Sequence, residues 1–183
     1  KLVYNEQKFT PINLPKESSA KLVELLTHKN QFYSRHARRI LQERGSDPEV
    51  HAAVKNLLRN STSDVHQLRA LWTLHATGGL TEELALAQLQ SSHEYVRAWT
   101  IQLLCEDKNP GDNVLKEFAQ MATNDPSPVV RLYLASAMQR TAPAKRWEVL
   151  TALLNHPDDA QDHNLPLMYW YAAEGTVAAD PGR

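Results

Sequence analysis

Short amphipathic helical stretches recur along this chain, each too small to bury its own apolar face. That recurrence limits the fold more than any other feature. Val50, Ala53, Val54, Leu57 and Leu58 fall at i, i+3, i+4, i+7 and i+8, which is one face of a helix. Val130, Tyr133, Leu134, Ala137 and Met138 repeat the spacing, and Trp147, Leu150, Leu153 and Leu154 follow it. Breakers separate the stretches: Gly45-Ser46-Asp47-Pro48, Gly78-Gly79, Asn109-Pro110-Gly111, Asp125-Pro126 and Ala142-Pro143. Pro48 and Pro143 suit a first helical turn, where the missing N–H leaves nothing unsatisfied. The pattern predicts helices over 18–28, 31–44, 48–59, 64–77, 81–90, 93–106, 112–123, 127–140, 143–155 and 165–174, with little room for strand. Aligning the second helix of each pair sets Arg35, Arg69, Arg97 and Arg131 in register, each one helix pair beyond the last. Each follows a candidate N-cap (Asn30, Asp64, Ser92 or Asp125) by five or six positions. A helix pair repeating at a period of ~30 residues buries its apolar face only against the next pair, which makes the expected fold an all-α superhelical solenoid of about five hairpins.

Composition narrows the function. The chain has 183 residues and a net charge of −1, with 20 Lys+Arg against 21 Asp+Glu. Nucleic-acid binders usually carry a strongly basic face, so none is expected as a partner. The single cysteine, Cys105, forms neither an internal disulfide nor a thiolate metal site, and the haem-attachment motif C-x-x-C-H is absent. Cys105 follows Leu103 and Leu104 and reads as a small core hydrophobe. There is no G-x-G-x-x-G or P-loop, and no apolar run long enough to span a membrane.

Four constellations are candidates for chemistry or binding. The recurrent arginines Arg35, Arg69, Arg97 and Arg131 read as structural, their forks reaching acidic or carbonyl groups of an adjacent turn; the functional alternative is an anion-binding ladder. The most basic stretch, Arg35-His36-Ala37-Arg38-Arg39, places Arg35 and Arg39 on one face, with Arg39–Glu43 as a local i, i+4 pair. The loop at 156–164 gathers His156, Asp158, Asp159, Asp162 and His163, five candidate metal ligands whose spacing matches no known ligand signature. Its simpler reading is an inter-helix loop in which Asp162 or Asn164 caps the last helix. Finally, Met168-Tyr169-Trp170-Tyr171, with Trp147 upstream, is either a partner patch around Trp170 or the capping core of the array. Glu174, next to this cluster, is the carboxylate whose burial matters most: buried, it would either pair with an arginine of the preceding repeat or be a perturbed acid.

Asp125-Pro126-x-x-Val129-Val130-Arg131 resembles the start of a second helix in HEAT-type repeats, which gives the solenoid a HEAT-like or armadillo-like character. The runs 31–45, 68–80 and 159–174, the last ending Met168-Tyr169-Trp170-Tyr171-Ala172-Ala173-Glu174, resemble the repeat segment of large secreted, haem-containing, membrane-bound-dehydrogenase-like proteins of planctomycetes and verrucomicrobia. In that family a β-propeller precedes the repeats and a c-type cytochrome domain follows them. The resemblance implies a periplasmic or secreted segment excised from a longer chain. Lys1-Leu2-Val3-Tyr4 would then be the exit from the propeller.

The expected organisation is an extended arm at 1–16, repeats at 17–175 and a tail at 176–183. The expected function is a non-catalytic scaffold or protein-interaction module without a cofactor of its own. Its partners would be the flanking domains of the same polypeptide or another protein. The alternatives are a HEAT-like enzyme or ligand binder of the DNA-glycosylase or tetrapyrrole-lyase kind.

Overall fold

The computed structural model describes residues 13–179. Those residues form ten α-helices, three short 3-10 turns and no strand. The helices are α1 (Ser19–Leu25), α2 (Gln31–Arg44), α3 (Pro48–Asn60), α4 (Asp64–Ala76), α5 (Glu82–Gln88), α6 (Glu94–Leu104), α7 (Asp112–Asn124), α8 (Pro128–Met138), α9 (Trp147–Leu153) and α10 (Leu165–Ala179). They pack as five hairpins, α1/α2 through α9/α10. The second helices stack in the order α2, α4, α6, α8, α10, so the molecule is an α-α solenoid. On the other layer α1 packs on α3 and α7 on α9.

Local chemistry explains the boundaries. Ser18, Asn30, Asp47, Ser63, Thr81 and Ser127 each accept a backbone N–H of the first turn with a side-chain oxygen. Of the four expected caps only Asn30 serves as one. Asp64 is the first residue of α4 behind Ser63, His93 precedes α6 in place of Ser92, and Ser127 caps α8 in place of Asp125. Gly78 ends the α4 hairpin at φ +76°, a conformation that strains residues with a Cβ. A Cβ on the adjoining Gly79 would lie 2.6 Å from the His51 ring, so the turn also needs a bare backbone there.

Three expected boundaries shift. Residues 14–16, placed in the extended arm, form a 3-10 turn whose Leu14 is buried against α2; residues 1–12, including Lys1-Leu2-Val3-Tyr4, lie outside the described residues. The helix expected over 143–155 is a 3-10 turn, Pro143–Lys145, followed by α9. The bend between them is set by buried Arg146, which donates to the Thr141 and Ala172 carbonyls. The last helix does not stop at residue 174. It continues through Gly175 to Ala179, anchored by fully buried Thr176, whose hydroxyl donates to the Ala172 carbonyl.

The core has two parts that follow the stack. One, around Leu22, Leu41, Val54, Leu71 and Leu74, lies under α1 to α4. The other, around Ile101, Phe118, Leu134, Met138 and Leu150, lies under α6 to α10. Cys105 is fully buried in the second, and burial pushes its thiol up to about 12, consistent with an inert hydrophobe.

Candidate functional site: the face of the second helices

The recurrent arginines occupy two different registers. Three positions beyond the first residue of each second helix stand Ser34 in α2, Gln67 in α4, Arg97 in α6 and Arg131 in α8. The last three make the same backward bond to the carbonyl six positions earlier. Gln67 Nε2 donates to Ser61 at 2.7 Å, Arg97 Nη1 to Ser91 at 2.8 Å and Arg131 Nη1 to Asp125 at 3.0 Å. Arg35 and Arg69 sit one and two positions later in their helices, so they belong to another face.

Arg97 and Arg131 also reach forward into the next repeat. Arg97 grips Asp125 through Nε and Nη2 at 2.7 and 2.9 Å. Arg131 grips Asp159 the same way at 2.6 and 2.5 Å, and Tyr169 Oη donates to the same carboxylate at 2.5 Å. The result is an unbroken chain of bonds from α6 to α10. Burial alone would raise the Asp159 carboxyl, but the hydrogen bonds from Arg131 and Tyr169 and the guanidinium charge hold it below the ordinary range. The bond to Asp159 raises Arg131 in turn. Burial and the same carboxylate push the Tyr169 phenol up.

This arrangement disperses the five candidate metal ligands. Asp159 is buried in the arginine pair. His156 Nε2 meets the Ala122 carbonyl at 2.6 Å. Asp162 accepts from the amides of Asn164 and Leu165, which lower its carboxyl and make it the cap of α10. Asp158 and His163 are exposed. No group of three or more His, Cys, Asp or Glu able to hold a metal occurs among the described residues.

The structure decides two open points at the end of the array. Glu174 is exposed and makes no ion pair among the described residues, because Arg146 satisfies itself on carbonyls. Within the aromatic run only Tyr169 joins the core. Trp170 is 59 % exposed and, with Leu167, Tyr171 and Val177, leaves the outer face of α10 apolar and open.

The face of α2 and α4 differs. Arg39 does pair with Glu43, at 2.8 Å, but it points away from Arg35 and Arg38. Those two share a cavity of about 220 Å³ with Arg69 and Trp72, lined also by Leu26, Gln31, Ser34, Val65 and Leu68. Arg69 Nη1 donates to the Leu26 and His28 carbonyls and Arg35 to Gln31. Arg38 lies over the Trp72 ring, 5.3 Å from its centroid. From there an aromatic row crosses the stack: Trp72 meets Trp99 edge-on at 5.0 Å, and Trp99 meets Tyr133 at 6.2 Å. It ends in a groove of about 400 Å³ between α6, α8 and α10, lined by Trp99, Leu132, Tyr133, Leu167 and Met168 among others. The sequence signals the recurrence of Trp72 and Trp99 but not the row, which depends on which helix faces share one layer. A signal for the two acid partners does exist in the sequence: Asp125 and Asp159 follow Arg97 and Arg131 at the same spacing.

Comparison with known proteins agrees with this geometry. Residues 82–162, from the start of α5 to the cap of α10, match the family described as HEAT repeats. Over these residues the chain is similar to HEAT repeats, in keeping with the α-α solenoid of the structure. No curated protein matches the chain. No helix among the described residues is long and apolar enough to cross a membrane.

Proposed function

We propose that the chain is a non-catalytic docking scaffold whose working surface is the face of its second helices. One observation carries this reading: the aromatic row Trp72–Trp99–Tyr133 runs across three repeats into an open apolar groove, while the Arg–Asp bonds behind it tie neighbouring repeats together. A surface held at fixed spacing by buried pairs is suited to present a partner site, or to keep two flanking domains a set distance apart. The family resemblance supports a finer version, in which the segment spaces a β-propeller from a haem-bearing domain in a periplasmic or secreted dehydrogenase-like protein and supplies no cofactor itself.

The test is made in the full-length gene product. Leu167→Asp, at a side chain 51 % exposed beside the groove, should leave the helical signal and melting temperature of the repeats nearly unchanged and release the docked domain, read by limited proteolysis and small-angle scattering. Oxidation of a sugar or alcohol with a dye acceptor by the isolated repeat chain would contradict the reading.

A further inference from the structure

Arg35, Arg38 and Arg69 converge on one cavity, and none of them meets a carboxylate among the described residues. The other two recurrent arginines, Arg97 and Arg131, are both neutralised. Burial lowers the Arg38 guanidinium, and the charges of Arg35 and Arg69 lower it further, so the three cations act on one another. The cavity wall also holds Trp72, on whose ring Arg38 rests. Every charged group at the site is a cation, so the set lacks an anion.

The geometry points to a carboxylate-binding pocket formed by Arg35, Arg38, Arg69 and Trp72, which takes an Asp or Glu side chain of an acidic peptide segment lying along the second helices. This rests on the reading of that face as a docking surface and names the partner's chemistry. At about 220 Å³ the cavity is smaller than the ~300–1,000 Å³ usual for a free ligand, so it suits a side chain. An overall charge of −1 and three arginines are too little for a phosphate backbone. The apolar continuation along Trp99 and Tyr133 favours a peptide over a bare anion. From the pocket between α2 and α4 to the groove centred on α8 is two and a half helix spacings, about 22 Å at ~9 Å each. An extended chain covers that in about seven residues. The segment therefore carries its acid at one end and a large apolar residue about seven positions away.

The probe is a capped octapeptide with Glu at one end, Phe at the other and Gly-Ser between, titrated into the isolated repeat chain labelled with ¹⁵N. The indole N–H signals are assigned through Trp72→Phe and Trp99→Phe. The expected result is a saturable shift of the Trp72 indole. Affinity should fall about tenfold or more for the Gln counterpart peptide and for Arg38→Gln. Should Arg38→Gln fail to fold, Arg35→Gln, whose only bond is to Gln31, gives the same comparison. Equal affinity for the Glu and Gln peptides overturns the proposal. So does saturation by inorganic phosphate at a lower concentration, or displacement of the peptide by a duplex oligonucleotide. A shift at Trp99 with none at Trp72 overturns the pocket and leaves the docking surface standing. Silence at both overturns the pocket, and the full-length assay above then decides the surface independently.

Discussion

The two halves of the stack use the same residue in opposite ways. From α6 to α10 the two recurrent arginines, Arg97 and Arg131, each have a buried aspartate in the following repeat, and each pair bridges two repeats. In α2 and α4 the arginines fall one or two positions later in the helix, meet only an amide side chain or carbonyls, and face a cavity. A shift of one position turns a side chain by about 100°, enough to move it from the seam between repeats to the open face. The HEAT-repeat match begins at residue 82 and covers the half that has the pairs. Arginine recurrence alone therefore does not mark the ties between repeats; the position of its acid does.

Substitutions separate the two uses. The largest loss is expected for Asp159→Ala, which strands the buried Arg131 cation and the Tyr169 hydroxyl: about 3–5 kcal/mol by urea unfolding. Arg97→Gln leaves Asp125 with the Ser127 amide as a remaining donor and should cost less, about 2–3 kcal/mol. The same pairing sets the acid limb of the stability profile. Asp159 titrates lower in the folded chain than its unfolded value near ~3.9. Its contribution is full above that value and is lost as pH falls through the folded pKa. An unfolding series from about pH 5 to about pH 2 should therefore be flatter for Asp159→Asn than for the native chain. Arg69→Gln, which loses two carbonyl contacts, should cost about 1 kcal/mol. Arg35→Gln, exposed and bonded only to Gln31, should stay within about 0.5 kcal/mol.

Helix existence is legible in the sequence because the apolar stripes keep a helical period and their stops carry Gly, Pro or a short polar cap. Val130, Leu134, Ala137 and Met138 are buried as their spacing implies. Ala53 and Leu154 fit the stripe too and are exposed, because the amphipathic period does not say how wide a face the neighbouring repeat covers. The end of the last helix is not legible at Gly175. Buried Thr176 and the Arg146 bond to Ala172 carry the helix past it, and both depend on tertiary packing. In the sequence Asp159 is one of several loop carboxylates. Only the fold places it between Arg131 and Tyr169, and the five His and Asp side chains of that loop are dispersed rather than gathered.

The aromatic row and the arginine pocket are the least legible parts. Trp99 and Tyr133 both stand five positions beyond the first residue of their helices, but Trp72 stands eight beyond. The meeting of Trp72 with Trp99 therefore depends on how far α4 slides along α6.

The most direct test of the division is equilibrium urea unfolding of Arg131→Gln beside Arg38→Gln. Arg131 is paired with a buried acid, and its loss should lower stability by about 3 kcal/mol or more. Arg38 stacks on Trp72 among like charges, and its loss should change stability by less than about 1 kcal/mol. Equal losses, or a larger loss for Arg38→Gln, would contradict the assignment of one set to holding the repeats together and the other to an open binding face.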